Sequence, residues 1–144
     1  MSLNNNQSGF TLLEVLVAIV VVSLGLLGLA GLQAATLRNN QIAYYRAIAI
    51  QQTYDMADRI RANQAGAKAG NYNNPAATHH TCAPCNSPQE MAEEDFFQWN
   101  NNNARMLPAG TGTVVAAGGG AFDITIFWTE NGATQSFPAT RVMP

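Results

Sequence analysis

Along the first forty residues the apolar positions barely alternate with polar ones. From Phe10 to Leu37 the run FTLLEVLVAIVVVSLGLLGLAGLQAATL carries one ionisable side chain, Glu14, and it exceeds the ~20 residues that span a bilayer as a helix. Beyond Leu37 the run gives way to a stripe. Ile42, Tyr45, Ala49, Gln52, Met56 and Ile60 recur at helical spacing, which marks one buried face. No proline interrupts either pattern, so a single helix is predicted from about Phe10 to about Ala62, its first part a membrane span and its second laid against a globular head. Tyr44, Ala47, Ile50 and Tyr54 fall off the stripe, where they meet core, solvent or another chain.

From Asn63 to Ser87 the composition shifts to Asn, Gly, Ala, Thr and Pro, with Gly66, Gly70, Pro75, Pro84 and Pro88 as breakers; a long loop over 63–87 is predicted. Ser87-Pro88-Gln89-Glu90 has the form of a capping box with proline at the first helical position, so a helix is predicted over 88–100. Its apolar face is Ala92, Phe96 and Trp99. After Asn100 to Asn103 and the turn residues Pro108, Gly110 and Gly112, the period becomes two. Strands are predicted over Thr113 to Ala117 and Phe122 to Trp128, the latter with Phe122, Ile124, Ile126 and Trp128 inward. Gly118 to Gly120 and Asn131-Gly132 supply the turns. A last strand is expected through Gln135 to Phe137 or Thr140 to Val142, broken by Pro138. The predicted fold class is α+β, a long N-terminal helix with a small antiparallel sheet spread over 113–142.

Composition sharpens this picture in two ways. The chain is 144 residues long with 47% hydrophobic and 11% charged residues, and the imbalance is local to the first quarter, leaving a single ordinary polar head over 38–144. A net charge of −2 with seven scattered basic residues, Arg38, Arg46, Arg59, Arg61, Lys68, Arg105 and Arg141, offers no surface for phosphate neutralisation, which argues against nucleic acid as a partner.

Glu14 is the residue that a plain membrane anchor does not explain. A carboxylate in mid-membrane costs on the order of 2.5–3.5 kcal/mol on insertion scales, so it calls for a partner. A secretory signal peptide fits poorly, because no basic segment precedes the run and the run is too long. Glu14 stands one helical turn after Phe10, and a cut before Phe10 would create an α-amino group beside it, which together with the helix N-terminus would favour the anion.

The string Ser8-Gly9-Phe10-Thr11-Leu12-Leu13-Glu14-Val15 resembles the leader junction of type IV pilins and of type II secretion pseudopilins. The resemblance implies that residues 1–9 are a leader, that a prepilin peptidase cleaves between Gly9 and Phe10 and methylates the Phe10 amine, and that Glu14 forms an assembly salt bridge to the amine of a neighbouring subunit. It also implies the pilin fold. One departure is that Met1 to Ser8 lacks the Lys or Arg usual in such leaders. The loop cations Arg38 and Arg46 alone would put the head in the cytoplasm; the cleavage motif and the cysteine pair favour a periplasmic head on a single inner-membrane span, and from there an extracellular pilus.

Further along, AIAIQQTYDMADRIRAN, the cysteine loop before a helix carrying Asp95 and Trp99, Leu107-Pro108 and a strand ending at Trp128 are similar to the type IV pilus modification protein family, PilV. That similarity implies a minor pilin that primes pilus assembly and sits at the fibre tip, with the inner membrane, other minor and major pilins and a tip adhesin as partners. A minor pseudopilin shares the same leader, helix and head.

Cys82 and Cys85 are the only cysteines. A disulfide between them suits an oxidising compartment. The alternatives are a membrane-tethered C-x-x-C thiol oxidoreductase and a zinc site with His79 and His80. The first lacks a preceding βαβ unit, and the second lacks another ligand pair. Glu90, Glu93, Glu94 and Asp95 complement the start of their helix rather than forming a calcium loop. With no nucleophile and base pattern and no phosphate loop, the expectation is a non-enzyme with no cofactor, no metal and no small-molecule substrate.

Overall fold

Helix α1 (Leu12–Ala62) opens the computed structural model, which describes residues 9–80, 82 and 85–144. The leader residues 1–8, and Pro84 among the loop breakers, lie outside the described residues. The chain divides into two units, Met1–Gln41 and Ile42–Pro144.

In the first unit every described side chain from Phe10 to Gln41 is exposed. A window of α1 has a mean hydropathy of 2.8 with none of it buried, long and apolar enough to cross a membrane. Two hydroxyls within this exposed stretch of the helix fit that reading. Ser23 Oγ donates to the Ile19 carbonyl at 2.7 Å and Thr36 Oγ1 to the Leu32 carbonyl at 2.9 Å, so both donors are satisfied within the helix.

In the second unit α1 buries Ile48, Ala49, Gln52, Thr53, Met56, Ala57 and Ile60. This is one stripe at spacings of three and four, while Tyr44, Ile50 and Tyr54 are exposed. Helix α2 (Gln64–Lys68) follows at once. It lies where the composition predicts only loop, because Asn63 Oδ1 accepts the Gly66 N–H at 3.1 Å and caps one short turn.

Helix α3 (Pro88–Met106) starts as expected. Ser87 Oγ accepts the Glu90 N–H at 3.2 Å, while the Glu90 carboxylate reaches back to the Asn86 N–H at 2.9 Å, one residue earlier than in the usual reciprocal box. It then continues past Asn100 to Met106. The run of asparagines does not break it, because Asn103 is buried and Asn100 uses its side chain elsewhere. The stop comes at Leu107, extended and followed by Pro108.

Strands β1 (Thr111–Gly118), β2 (Ala121–Glu130) and β3 (Ala133–Val142) form an antiparallel meander in the order β1-β2-β3. The β2–β3 hairpin turns on Asn131 and Gly132, both at positive φ, 53° and 77°, as a two-residue loop requires. Strand β3 is one strand, not the two fragments that Pro138 suggests. The register passes from Ile126↔Phe137 to Ile124↔Thr140, so Pro138 and Ala139 occupy a bulge on an edge strand, where a missing N–H costs least. The other edge is closed differently. On β1, Gly112 N–H donates to Asn100 Oδ1 at 2.7 Å, Ala116 N–H to Asn73 Oδ1 at 2.9 Å, and the Val114 carbonyl accepts the Asn74 N–H at 2.9 Å.

The core of the unit is Met56 and Ile60 of α1, Ala92 and Trp99 of α3, Val114 of β1, and Phe122, Ile124, Ile126 and Trp128 of β2. Trp99 holds the layers together. Its Nε1 donates to the Gln52 carbonyl at 2.8 Å, and its ring covers Gly112, where any Cβ would overlap it. The result is an apolar N-terminal helix followed by a small three-stranded antiparallel sheet, a pilin-like α+β architecture.

Candidate functional site

Thr11 sets the start of α1. Its carbonyl accepts the Glu14 and Val15 N–H groups at 3.1 and 3.3 Å, and its Oγ1 lies 3.3 Å from the Glu14 nitrogen. Thr11 therefore caps the helix. Gly9 and Phe10 stand just outside the first turn, both exposed, which leaves their peptide bond accessible.

Glu14 lies on an open apolar groove with Phe10, Val15, Ala18, Ile19 and Val22. Among the described residues it enters no ion pair. The only cation between Gly9 and Gln41 is Arg38, 24 positions further on and so roughly 36 Å along a helix rising 1.5 Å per residue. A carboxylate held ionised in an apolar surface is costly unless it gains a partner. Around Gly25, Gly28 and Gly31 there is open space, so a second helix could approach closely there.

In the second unit the sequence-level candidates group in ways that local patterns do not reveal. Cys82 and Cys85 are joined as a disulfide. His79 and His80 meet the acids of α3. His79 Nδ1 lies 3.0 Å from Glu94 Oε2, and His80 Nε2 lies 2.6 Å from Glu93 Oε2. The Glu93 carboxyl is held below its ordinary range, first by the Gln89 amide and then by His80. For Glu94, burial pushes the carboxyl up, but the Gln98 amide, the His80 backbone N–H and His79 outweigh it and leave the group low.

Arg59, Tyr72 and Asp95 form a network that the sequence reading missed. Arg59 bonds Asp55 and Asp95, each at 3.1 Å, and the Tyr72 hydroxyl donates to Asp95 Oδ2 at 2.6 Å. Burial, and after it the hydrogen bond to the Asp95 carboxylate, push the Tyr72 phenol well above its ordinary range. It ties α1, α3 and the intervening loop together. A lone tyrosine inside an Asn-rich loop was the available signal, since an aromatic there calls for both packing and a polar partner.

A family model described as the prokaryotic N-terminal methylation motif matches residues 4–30. No curated protein matches the chain, and no solved structure does. With the matched segment ending inside an exposed apolar helix, and a small antiparallel sheet following it, the motif supports a type IV pilin-like protein of the kind processed by a prepilin peptidase.

Proposed function

We propose that this chain is a minor pilin. Its leader, residues 1–9, is removed between Gly9 and Phe10, the Phe10 amine is methylated, and the protein waits in the inner membrane on its apolar helix with the head in the periplasm. It then joins other minor and major pilins in priming a type IV pilus, and takes a place at the fibre tip beside an adhesin. The role is structural rather than enzymatic. Cys82 and Cys85 serve it as a brace for the loop before α3.

The observation that carries this reading is Glu14: an acid on an exposed apolar helix, one turn beyond Gly9-Phe10, with no cation against it among the described residues. A newly made amine on an adjacent subunit is the partner that the cleavage reaction itself supplies. Pairing in a low-dielectric bundle makes loss of either member cost about 3–5 kcal/mol.

N-terminal sequencing and intact mass of protein taken from native membranes test it. A methylated Phe10 start is expected, whereas a start at Met1 or Ser2 would sink the proposal. Gly9→Leu should accumulate as uncleaved precursor. Glu14→Ala should be cleaved normally yet be depleted from sheared fibres; recovery at the ordinary ratio would remove the ion pair while leaving the processing step intact.

A further inference from the structure

The segment ahead of the disulfide is held on α3 by an unusual concentration of donors around two carboxylates. Glu94 Oε2 accepts the His80 backbone N–H at 2.6 Å and faces His79 Nδ1 at 3.0 Å, while Glu94 Oε1 accepts the Gln98 amide at 2.7 Å. One helical position away, Glu93 Oε2 faces His80 Nε2 at 2.6 Å and Oε1 accepts the Gln89 amide at 2.9 Å. The His79 ring also stacks on Phe97, centroids 4.8 Å apart. Residues 76–79 are otherwise exposed, so the two glutamates are the principal anchor of this stretch among the described residues.

We propose that Glu93 and Glu94 form an acid-released clasp. With both carboxylates ionised the clasp holds His79 and His80 on α3; when they take up protons this stretch detaches while the core stays folded. The chemistry is specific to the acid side. Every group arranged around Glu94 is a donor or a ring nitrogen facing an oxygen, so a proton placed on that carboxyl occupies an acceptor site that a donor already needs. Both carboxyls are held low, which fixes the sign. A depressed acid contributes stability that is fully present above the ordinary carboxylate value and is lost as pH falls through the lower, folded-state value.

The charges on neighbouring elements are committed elsewhere. Arg59 of α1 is engaged by Asp55 and Asp95, Tyr72 by Asp95, and Glu90 by the Asn86 N–H. Lys68 of α2 is exposed and in none of the ion pairs among the described residues. Strand β2, buried and flanked on both sides, has no acid on its core face: Phe122, Ile124, Ile126 and Trp128 occupy it.

Amide hydrogen exchange on the full-length protein in detergent micelles, read as protection factors between pH 7 and pH 3, tests the clasp. The His80 amide should lose protection by at least about tenfold below the ordinary carboxylate range, the amides of β2 keeping theirs, since a hydrogen bond to a charged acceptor is lost. Glu94→Gln should shrink the acid-dependent loss of His80 protection over the same interval, leaving only the part that Glu93 contributes. Full His80 protection at pH 3, loss in step with β2, or an unchanged acid transition in Glu94→Gln would each overturn the proposal.

Discussion

The two stretches of α1 are covalently one helix, yet they answer different burial problems. From Leu12 to Gln41 apolar side chains point in every direction and all are exposed. From Ile42 to Ala62 a stripe of apolar residues disappears under the head, while Tyr44, Ile50 and Tyr54 stay exposed beside it. A helix greasy all round needs an apolar solvent, whereas one with a stripe needs only a sheet. One head glycine differs from those of the apolar stretch. Gly25, Gly28 and Gly31 stand in open space, while a Cβ at Gly112 would collide with Trp99. Hence the first stretch stays uncovered among the described residues, whereas the second is covered by the head.

The sharpest way to break this contrast is to remove one large apolar residue from each side of it. Trp99 is fully buried and Leu26 is 61% exposed. Trp99→Ala should destabilise the head by about 3–5 kcal/mol, through lost burial, the remaining cavity and the lost hydrogen bond to the Gln52 carbonyl. Leu26→Ala should leave the thermal unfolding of the head where it was. Near-ultraviolet circular dichroism in detergent reads both. An equal loss from Leu26→Ala would mean that the apolar stretch is part of the head's own core.

Glycine sharpens the same point at a smaller scale. Gly112→Ala forces the Trp99 ring or the β1 backbone to move and should cost about 1–3 kcal/mol of head stability. Gly28→Ala meets no neighbour and should raise helix propensity by about 1 kcal/mol without touching the head. Denaturant titration followed by tryptophan fluorescence measures the first, and far-ultraviolet ellipticity in micelles the second. Were Gly112→Ala silent, the close approach of Trp99 would not be what keeps a glycine in that strand.

Much of this was legible because the signals are periodic or local. The apolar run, the stripe through Met56 and Ile60, the Ser87 cap, and the alternation of Phe122, Ile124, Ile126 and Trp128 each announce an element within a few residues. Where the reading fell short, a distant residue decides the outcome. Asn100 to Asn103 read as a break, but Asn100 binds the edge of β1 and Asn103 is buried, so α3 runs on. Pro138 read as a strand end, but an edge bulge absorbs it. For His79 and His80 the sequence offers only a zinc site that lacks a second ligand pair, and for the acids of α3 only the helix dipole; folding brings the two groups together, which neither segment reveals alone. At the leader junction only residue types are visible, and the amine proposed to complete Glu14 would exist only after proteolysis.

The mildest comparison uses the two helix caps, because they are chemically alike and differ mainly in what lies beyond them. Ser87 Oγ sits 3.2 Å from the Glu90 nitrogen at the start of α3, and Thr11 Oγ1 sits 3.3 Å from the Glu14 nitrogen at the start of α1. Replacing either by alanine removes one acceptor from a helix N-terminus, a loss of ~1 kcal/mol in a typical host. In α3 that first turn carries Glu90 and leads directly to buried Ala92 and Glu94, so Ser87→Ala should lower the unfolding midpoint of the head. In α1 the first turn is exposed among the described residues, so Thr11→Ala should fray the helix start and leave the midpoint unchanged. Amide exchange at Glu14 would then rise alone. If the head midpoint fell equally in both variants, the two stretches of α1 would unfold as one cooperative unit, and the division of labour between them would be a matter of surroundings rather than of stability.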